Sequence, residues 1–391
     1  MKPVYISSFA RTPIGGFGGQ LSSFSATQLG AHVIKSILEK SGADAQRVEA
    51  VYMGNVLSAN LGQSPARQAA LYAGLPVTAD ATTINKVCAS GLKAVTAAAS
   101  DIMLDKVNLA AAGGMESMSN APFYAPFNRF GHKTGNLELI DGMIKDGLWD
   151  PYSDQHMGAI TERAVNKYGI SRGEQDAYAA RSYRLALESV ETGRFAAEIS
   201  PVGITDKKGN KVLLDKDEDA FKVNYEKMPL LKPGFSDGGT ITAANASNLN
   251  DGAAALLLTG DPGAYGIPAM ARITDFADAA TAPDMFSVAP SLAIQQLLDR
   301  NRLSVADIDY FEINEAYAFV PLVNSRLLHI PQEKINIFGG AVALGHPIGA
   351  SGARILVTLL NVLQVTNGKR GIAAICNGGG GATAVMVEKN Q

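Results

Sequence analysis

Cysteine is almost missing from this sequence: Cys88 and Cys376 are the only two in 391 residues. Two thiols so far apart make no disulfide framework and fit a reducing compartment. Histidine occurs five times, and neither His346 nor either cysteine has a neighbour at metal-ligand spacing. Charge is modest, at 18% of residues and a net −3, with the basic residues scattered. That excludes a track for nucleic acid or for an anionic membrane surface. Long apolar runs are lacking too. The most apolar late segment, Ile355 to Val365, is broken by Thr358, Asn361 and Gln364, short of the roughly 20 residues a bilayer takes. No basic-then-apolar leader opens the chain, and "VEKNQ" carries no retention or peroxisomal address. The expectation is a cytoplasmic protein, with a mature mitochondrial form the other option. The glycine string "GGFGG" misses the dinucleotide spacing, and no phosphate-loop lysine follows any such string, which argues against nucleotide hydrolysis and hydride transfer.

What is abundant is glycine, at 40 positions, within a chain that is 47% hydrophobic. This is the composition of a folded protein with many close backbone approaches. The length suggests two or three domains.

The two ends of the chain repeat one plan. "VYISSFA" (4–10) answers "ARITDFA" (271–277). A helix around Leu29–Lys40 leading into "AQRVEAVYMGN" answers one around Leu292–Arg300 leading into "VADIDYFEINE". "INKV" and "CASGLKAV" (84–95) answer "INIF" (335–338) and "GASGARIL" (349–356), and "NLAAAGGMES" answers "GIAAICNGGG". The second copy carries extra residues, with "GHPIG" among them, between its strand and its helix. Alternating strands and helices predict mostly parallel sheets covered by helices, with chemistry at strand ends and helix starts. Residues 119–247 differ in texture and read as an inserted, surface-lying domain, after which 248–268 complete the first half. The expected division is 1–118 with 248–268, then 119–247, then 269–391.

Cys88 precedes a helical pattern, Leu92, Val95, Ala99, Ile102 and Met103. A thiol capping a helix gains from the unpaired N–H groups and the dipole, which favour the nucleophilic thiolate; a buried structural cysteine is the bland alternative. His346, in the glycine-dense "GGAVALGHPIGASG", is the natural base to take its proton. Cys376 ends an apolar strand before four glycines, where N–H groups can face a developing negative charge and a second thiol can exchange a proton. Asn314, in "EINEAY", could hold a water or a carbonyl, and Glu315 shares that ambiguity.

The set "INKVCASGLKAV", "GGMESMSNAPF", "NEAY", "GGAVALGHPIGASG" and "CNGGGGA" resembles the thiolase family over essentially the whole chain, nearest its short-chain, mitochondrial-type acetyl-CoA acetyltransferase branch. The resemblance implies an α/β thiolase fold, five layers αβαβα from two similar halves, with an inserted loop domain. It implies that Cys88 carries the acyl group, His346 activates it and Cys376 moves the proton at the α-carbon of acetyl-CoA. Asn314 would place a water that forms one oxyanion hole with His346, and the N–H groups of Cys88 and Gly378 would form the other. The implied reaction is condensation of two acetyl-CoA to acetoacetyl-CoA and coenzyme A, or its reverse. Coenzyme A would lie along His156, Lys222, Phe235 and Ser247; no further cofactor is required. A potassium ion would sit among Tyr183, Ala243, Ala244, Ala246 and Val342. A homotetramer, a dimer of dimers, is expected, with no nucleic-acid or membrane partner. Two departures, Tyr317 in place of phenylalanine and Ser287 in place of proline, bear on acceptance of 2-methyl-branched chains. The rival readings are a longer-chain degradative thiolase, a ketoacyl synthase, which lacks the second cysteine, and a non-catalytic CoA-binding protein.

Overall fold

The computed structural model describes residues 1–205 and 208–390. The first copy runs β1 (Val4–Arg11), α1 (Ala26–Ser41), β2 (Ala50–Gly54), α2 (Pro65–Tyr72), β3 (Asp80–Ile84), α3 (Ser90–Met103) and β4 (Leu109–Ser117). Helix α1 starts where Ser25 and Gln28 form a capping box, which satisfies two backbone donors at once. The insertion contributes α4 (Met157–Tyr168) and α5 (Arg172–Glu191), and β5 (Asn250–Thr259) returns to the first copy. The second copy runs β6 (Ala271–Ala280), α6 (Ala289–Asn301), β7 (Tyr310–Ile313), α7 (Phe319–Leu328), α8 (Ile348–Val365), β8 (Arg370–Asn377) and β9 (Gly381–Lys389).

One ten-stranded sheet has the order β7-β8-β9-β6-β1-β5-β4-β2-β3, with the two-residue strand Gly15–Gly16 beside β5. Outward from the antiparallel β1–β6 join (Val4 opposite Ile273, Ile6 opposite Ala271), the halves mirror each other. β5 answers β9, β4 answers β8 and β2 answers β7. The strand expected at "INIF" is absent: Ile335 makes only a single parallel bridge to Phe311 where the first copy has all of β3. The sheet is also mixed rather than mostly parallel. β2 runs parallel to β3 and β4, and β7 to β8. β5 and β9 return antiparallel; for β9 the link from β8 is only three residues, too short to cross over.

Period-2 alternation builds the layers. On β4, Ala110 and Ala112 join a core with α3 and α8, while Leu109 and Ala111 face α1 and α2. On β8, Ala373 and Ile375 face the same central helices, and Ile372, Ala374 and Cys376 face α6 and α7. Five layers result, with α3 and α8 in the middle. These two helices cross at glycines: a Cβ on Gly91 would lie 2.9 Å from Ala353 N, and one on Gly352 only 2.5 Å from Leu92 N, so no larger residue permits the approach.

The insertion is not confined to the surface. Ile160, Tyr178 and Tyr183 share one buried cluster with Phe311 and Phe319 of the second copy, because α4 and α5 have apolar faces that only this packing covers. Helix α8 also exceeds the apolar stretch expected for it. Its 18 residues are long and apolar enough to cross a membrane by composition, yet 89% of that window is buried in the fold, as a central-layer helix must be.

Arg11 ties the insertion to the core from a fully buried position. Its Nε donates to Glu198 at 2.5 Å, and its two terminal nitrogens donate to Asp217 at 2.6 and 2.9 Å. Burial opposes the charge, but the two carboxylates outweigh it and raise the guanidinium pKa. Arg11→Leu strands two buried carboxylates and is expected to cost about 3–5 kcal/mol, read as a lower urea midpoint with an unchanged m-value.

Candidate active site

Residues 85–90 form a tight turn between β3 and α3. Asn85 accepts the Val87 N–H at 3.0 Å, and Ser90 Oγ accepts the Lys86 N–H at 2.8 Å and donates to the Val87 carbonyl at 2.6 Å. This forces Val87 to φ +47°, unfavourable for a β-branched residue. Lys86 holds the turn from outside, donating to Asp278 at 2.5 Å and Thr383 at 2.8 Å, while Lys93 reaches the same Asp278 at 2.6 Å. Cys88 is thereby placed two residues ahead of α3.

The helix terminus does not make this thiol acidic. Burial pushes Cys88 up to about 12, against the opposing pull of its own backbone N–H and that of Gly378. The helix dipole expected from sequence favours the thiolate, but desolvation dominates here. In the second copy, His346 stands two residues ahead of α8 and is 5% exposed. Its Nδ1 meets Ser351 Oγ at 2.6 Å. Burial, then the charge of Arg354, lowers its pKa to about 3, so the ring is a neutral imidazole. Its Nε2 is buried and unpartnered among the described residues. Ser351 also donates to the Pro347 carbonyl at 2.9 Å, which leaves its oxygen to accept from Nδ1–H and Nε2 to carry a lone pair.

Cys376 is 1% exposed near the end of β8. Its thiol is raised by burial and then by Cys88. The Tyr317 hydroxyl is raised by burial, then by Cys88 and Cys376 together. The two sulfurs and this phenol therefore lie within one another's field. Asn314, just past β7, has both amide atoms buried and unpartnered among the described residues. The ambiguity over Glu315 is resolved: it accepts from Tyr178, Ser182, Asn336 and the Val342 N–H at 2.7–3.1 Å, and so ties α5 to the loop before His346.

A cavity of about 320 Å³ opens on these groups, with Cys88, His346, Gly378 and Tyr317 in its wall. Cys376 and Asn314 lie outside its lining. The insertion supplies His156, Phe235 and Ser247 to it. His156 stacks on Phe235 at 4.8 Å, and Phe235 meets Tyr317 edge-on at 6.2 Å. His156 Nδ1 also caps α4 by accepting the Gly158 N–H. Lys222 is outside the lining, its side chain 57% exposed and paired with Asp219. Ala243 and Ala246 line the cavity; Tyr183, Ala246 and Val342 belong to the buried cluster behind it, with Ala244 packed on that cluster. Met118, Met143 and Ile348 form an apolar wall that the sequence does not mark, since nothing local distinguishes them from core residues. Ser351 was legible in "GHPIGASG" as a hydroxyl one helical turn past the histidine. A wider hollow of about 660 Å³ along α1, between Phe24 and Tyr72, holds none of these thiols or amides.

A thiol with a neutral imidazole, two oriented N–H groups and a second thiol can exchange acyl groups through a cysteine thioester. The sequence matches the thiolase N-terminal domain over residues 4–261 and the thiolase C-terminal domain over 267–389. The chain belongs to the thiolase family and is an acyltransferase. It is 49% identical to acetyl-CoA acetyltransferase 1 of Arabidopsis thaliana, over 99% of this chain and 94% of that one. It is 46% identical to an acetyl-CoA acetyltransferase of Schizosaccharomyces pombe, over 99% and 98%, and 45% identical to a cytosolic one of Gibberella zeae, over 100% and 99%. Among solved structures it is similar to the Acat5 thiolase of Ascaris suum in complex with coenzyme A, with TM-score 0.94 and 42% identity over the whole of both chains.

Because the Cys88 thiol is raised, little thiolate exists at neutral pH. Alkylation of Cys88 by iodoacetamide is expected to climb steadily between about pH 7 and 10, followed by mass spectrometry of its peptide. A plateau near neutrality would reveal a standing thiolate–imidazolium pair instead.

Proposed function

We propose that this chain is an acetyl-CoA C-acetyltransferase, condensing two acetyl-CoA to acetoacetyl-CoA and coenzyme A and running the reverse thiolysis. Cys88 gives its proton to His346 Nε2 and its sulfur attacks the thioester carbonyl. The departing coenzyme A sulfur takes that proton, leaving acetyl-Cys88. The α-carbon of the second acetyl-CoA then attacks the acetyl carbonyl. One proton moves overall from that carbon to the Cys88 sulfur, and Cys376 relays it. The N–H groups of Cys88 and Gly378 stabilise one oxyanion; a water on Asn314, with His346 while its Nε2 holds a proton, stabilises the other. The observation that carries this reading is the cavity itself, which brings Cys88, the buried Nε2-bearing ring of His346 and the Gly378 backbone into one wall. Losing one oxyanion donor typically costs roughly 10²–10³ in rate.

Coenzyme A lies along His156, Phe235 and Ser247, which line the cavity, toward Lys222 at its exterior. The division into 1–118 with 248–268, 119–247 and 269–391 makes the middle part the coenzyme A domain. Potassium is held by the Tyr183 phenol and the carbonyls of Ala243, Ala244, Ala246 and Val342, oxygen donors suited to a hard cation. A homotetramer is supported by the open edge of β3 and by Phe127 and Phe130, 81% and 87% exposed. The reaction belongs to lipid metabolism, and a cytoplasmic setting is supported by the cytosolic relative.

Mixing the protein with acetyl-CoA is expected to release about one coenzyme A per chain in a burst and to acetylate the Cys88 peptide. Cys88→Ala abolishes burst and condensation, while Cys376→Ala keeps the burst and loses condensation. A wild-type protein without the burst would refute the proposal. Thiolysis of straight and 2-methyl 3-ketoacyl-CoAs in sodium or potassium sets the chain range and cation dependence.

A further inference from the structure

The loop carrying His346 is shaped around one side chain of the first copy. Asn250 opens β5 and is fully buried. Its Oδ1 accepts the backbone N–H of His346 at 2.9 Å. Its Nδ2 donates to the Gly15 carbonyl at 3.0 Å and to Asp219 Oδ2 at 2.8 Å. Both amide hydrogens are committed, so the group cannot rotate without losing them. Gly345, at φ +108°, lies against the amide: a Cβ there would be 2.4 Å from Asn250 Cγ. Ser351 orients the imidazole ring, and Asn250 places the backbone from which the ring hangs.

Asp219 is shared in its turn. It is 3% exposed and accepts from Lys222 Nζ at 2.7 Å and from Asn248 Nδ2 at 3.1 Å. Lys222 is held a second time by Glu218 at 3.2 Å, and Glu218 also accepts the N–H groups of Gly16 and Gln20. A continuous hydrogen-bonded line therefore runs from the exposed ammonium of Lys222, through the Asp219 carboxylate and the Asn250 amide, to the peptide N–H of His346.

We propose that Asn250 is a positioning residue for His346, and that the Asp219–Asn250 pair transmits the placement of the Lys222 turn to the imidazole. This rests on the reading of His346 as the group that takes the Cys88 proton. Neither residue touches the reacting atoms. Their effect is geometric, and a misplacement of about 1 Å in a reacting group costs on the order of 10² in rate.

The test is steady-state kinetics of thiolysis, with melting temperatures recorded alongside. Asn250→Ala is expected to lower kcat by roughly 10–10² while KM for acetoacetyl-CoA stays within about threefold. Asn250→Asp sets a carboxylate against Asp219 and lowers kcat as well. The exchange D219N/N250D restores the pairing in reverse, with the amide at 219 donating to the carboxylate at 250, which still accepts the His346 N–H. It is expected to recover part of the kcat lost in N250D, because the two carboxylates no longer oppose each other while the donation to the Gly15 carbonyl stays lost. Lys222→Ala is expected to lower kcat less in N250A than in the wild-type background, the non-additivity of a shared line, while any loss of coenzyme A binding raises KM equally in both. An N250A enzyme within twofold of wild-type kcat, or an exchange that recovers nothing while folded, overturns the proposal. Failure of both N250A and the exchange to fold overturns it too, by assigning Asn250 to folding alone. A wild-type enzyme without acyl transfer refutes the proposed function instead; an active wild type with an unaffected N250A refutes only this inference.

Discussion

The crossing of α3 on α8 is the contact on which the site depends. Each helix is the third of its copy, and each is entered through a segment that ends in a reactive group, Cys88 in one and His346 in the other. With side chains at 91 and 352 the helices would stand further apart, and their leading segments with them. Gly91 and Gly352 let backbone meet backbone instead. The pseudo-symmetry of the fold then does the rest, because two equivalent helix starts brought to one end of a central layer place two unlike groups at one cavity. Glu116 secures the meeting from a third direction. Its carboxylate accepts from Asn55, Val56 and Leu57 of the first copy and from Gly349 of the second. Burial raises it to about 7, against those donors.

Burial shapes the chemistry as much as proximity does. Cys88, His346 and Cys376 are all driven toward their neutral forms by desolvation. A neutral thiol beside a neutral imidazole costs little to keep in a dry cavity, whereas a separated ion pair there would be expensive. In the proposed reaction, nucleophile activation is coupled to attack, when the N–H groups of Cys88 and Gly378 would meet a developing negative charge with no reorganisation.

The insertion contributes less as an independent unit than as a wall. Its helices complete the outer core of the second copy, and its buried acids anchor it on both sides: Glu198 and Asp217 on Arg11, and Asp219 on Asn250. The aromatic sequence His156, Phe235, Tyr317 leads from that wall to the thiols.

Much of this was legible in the linear chain. The duplicated order of strand and helix, the exceptional settings of Cys88, His346 and Cys376 and the family motifs all depend on local pattern and spacing, which survive without coordinates. The place of Asn250–Thr259 in the first half was readable for the same reason. Other features belong to contacts between distant segments. "INIF" has strand-like residues yet forms one bridge, because Asn336 turns to φ +48° and breaks the extended run right after Ile335. The thiol of Cys88 sits at a helix start and is still not acidic, because desolvation comes from the layers around it and not from its own helix. The roles of Asn250, Asp219 and Glu116 were invisible for a related reason: an asparagine or an acid in sequence is an ordinary polar residue. Only when folding buries it among particular donors and acceptors does its hydrogen-bonding capacity become a constraint on the groups around it.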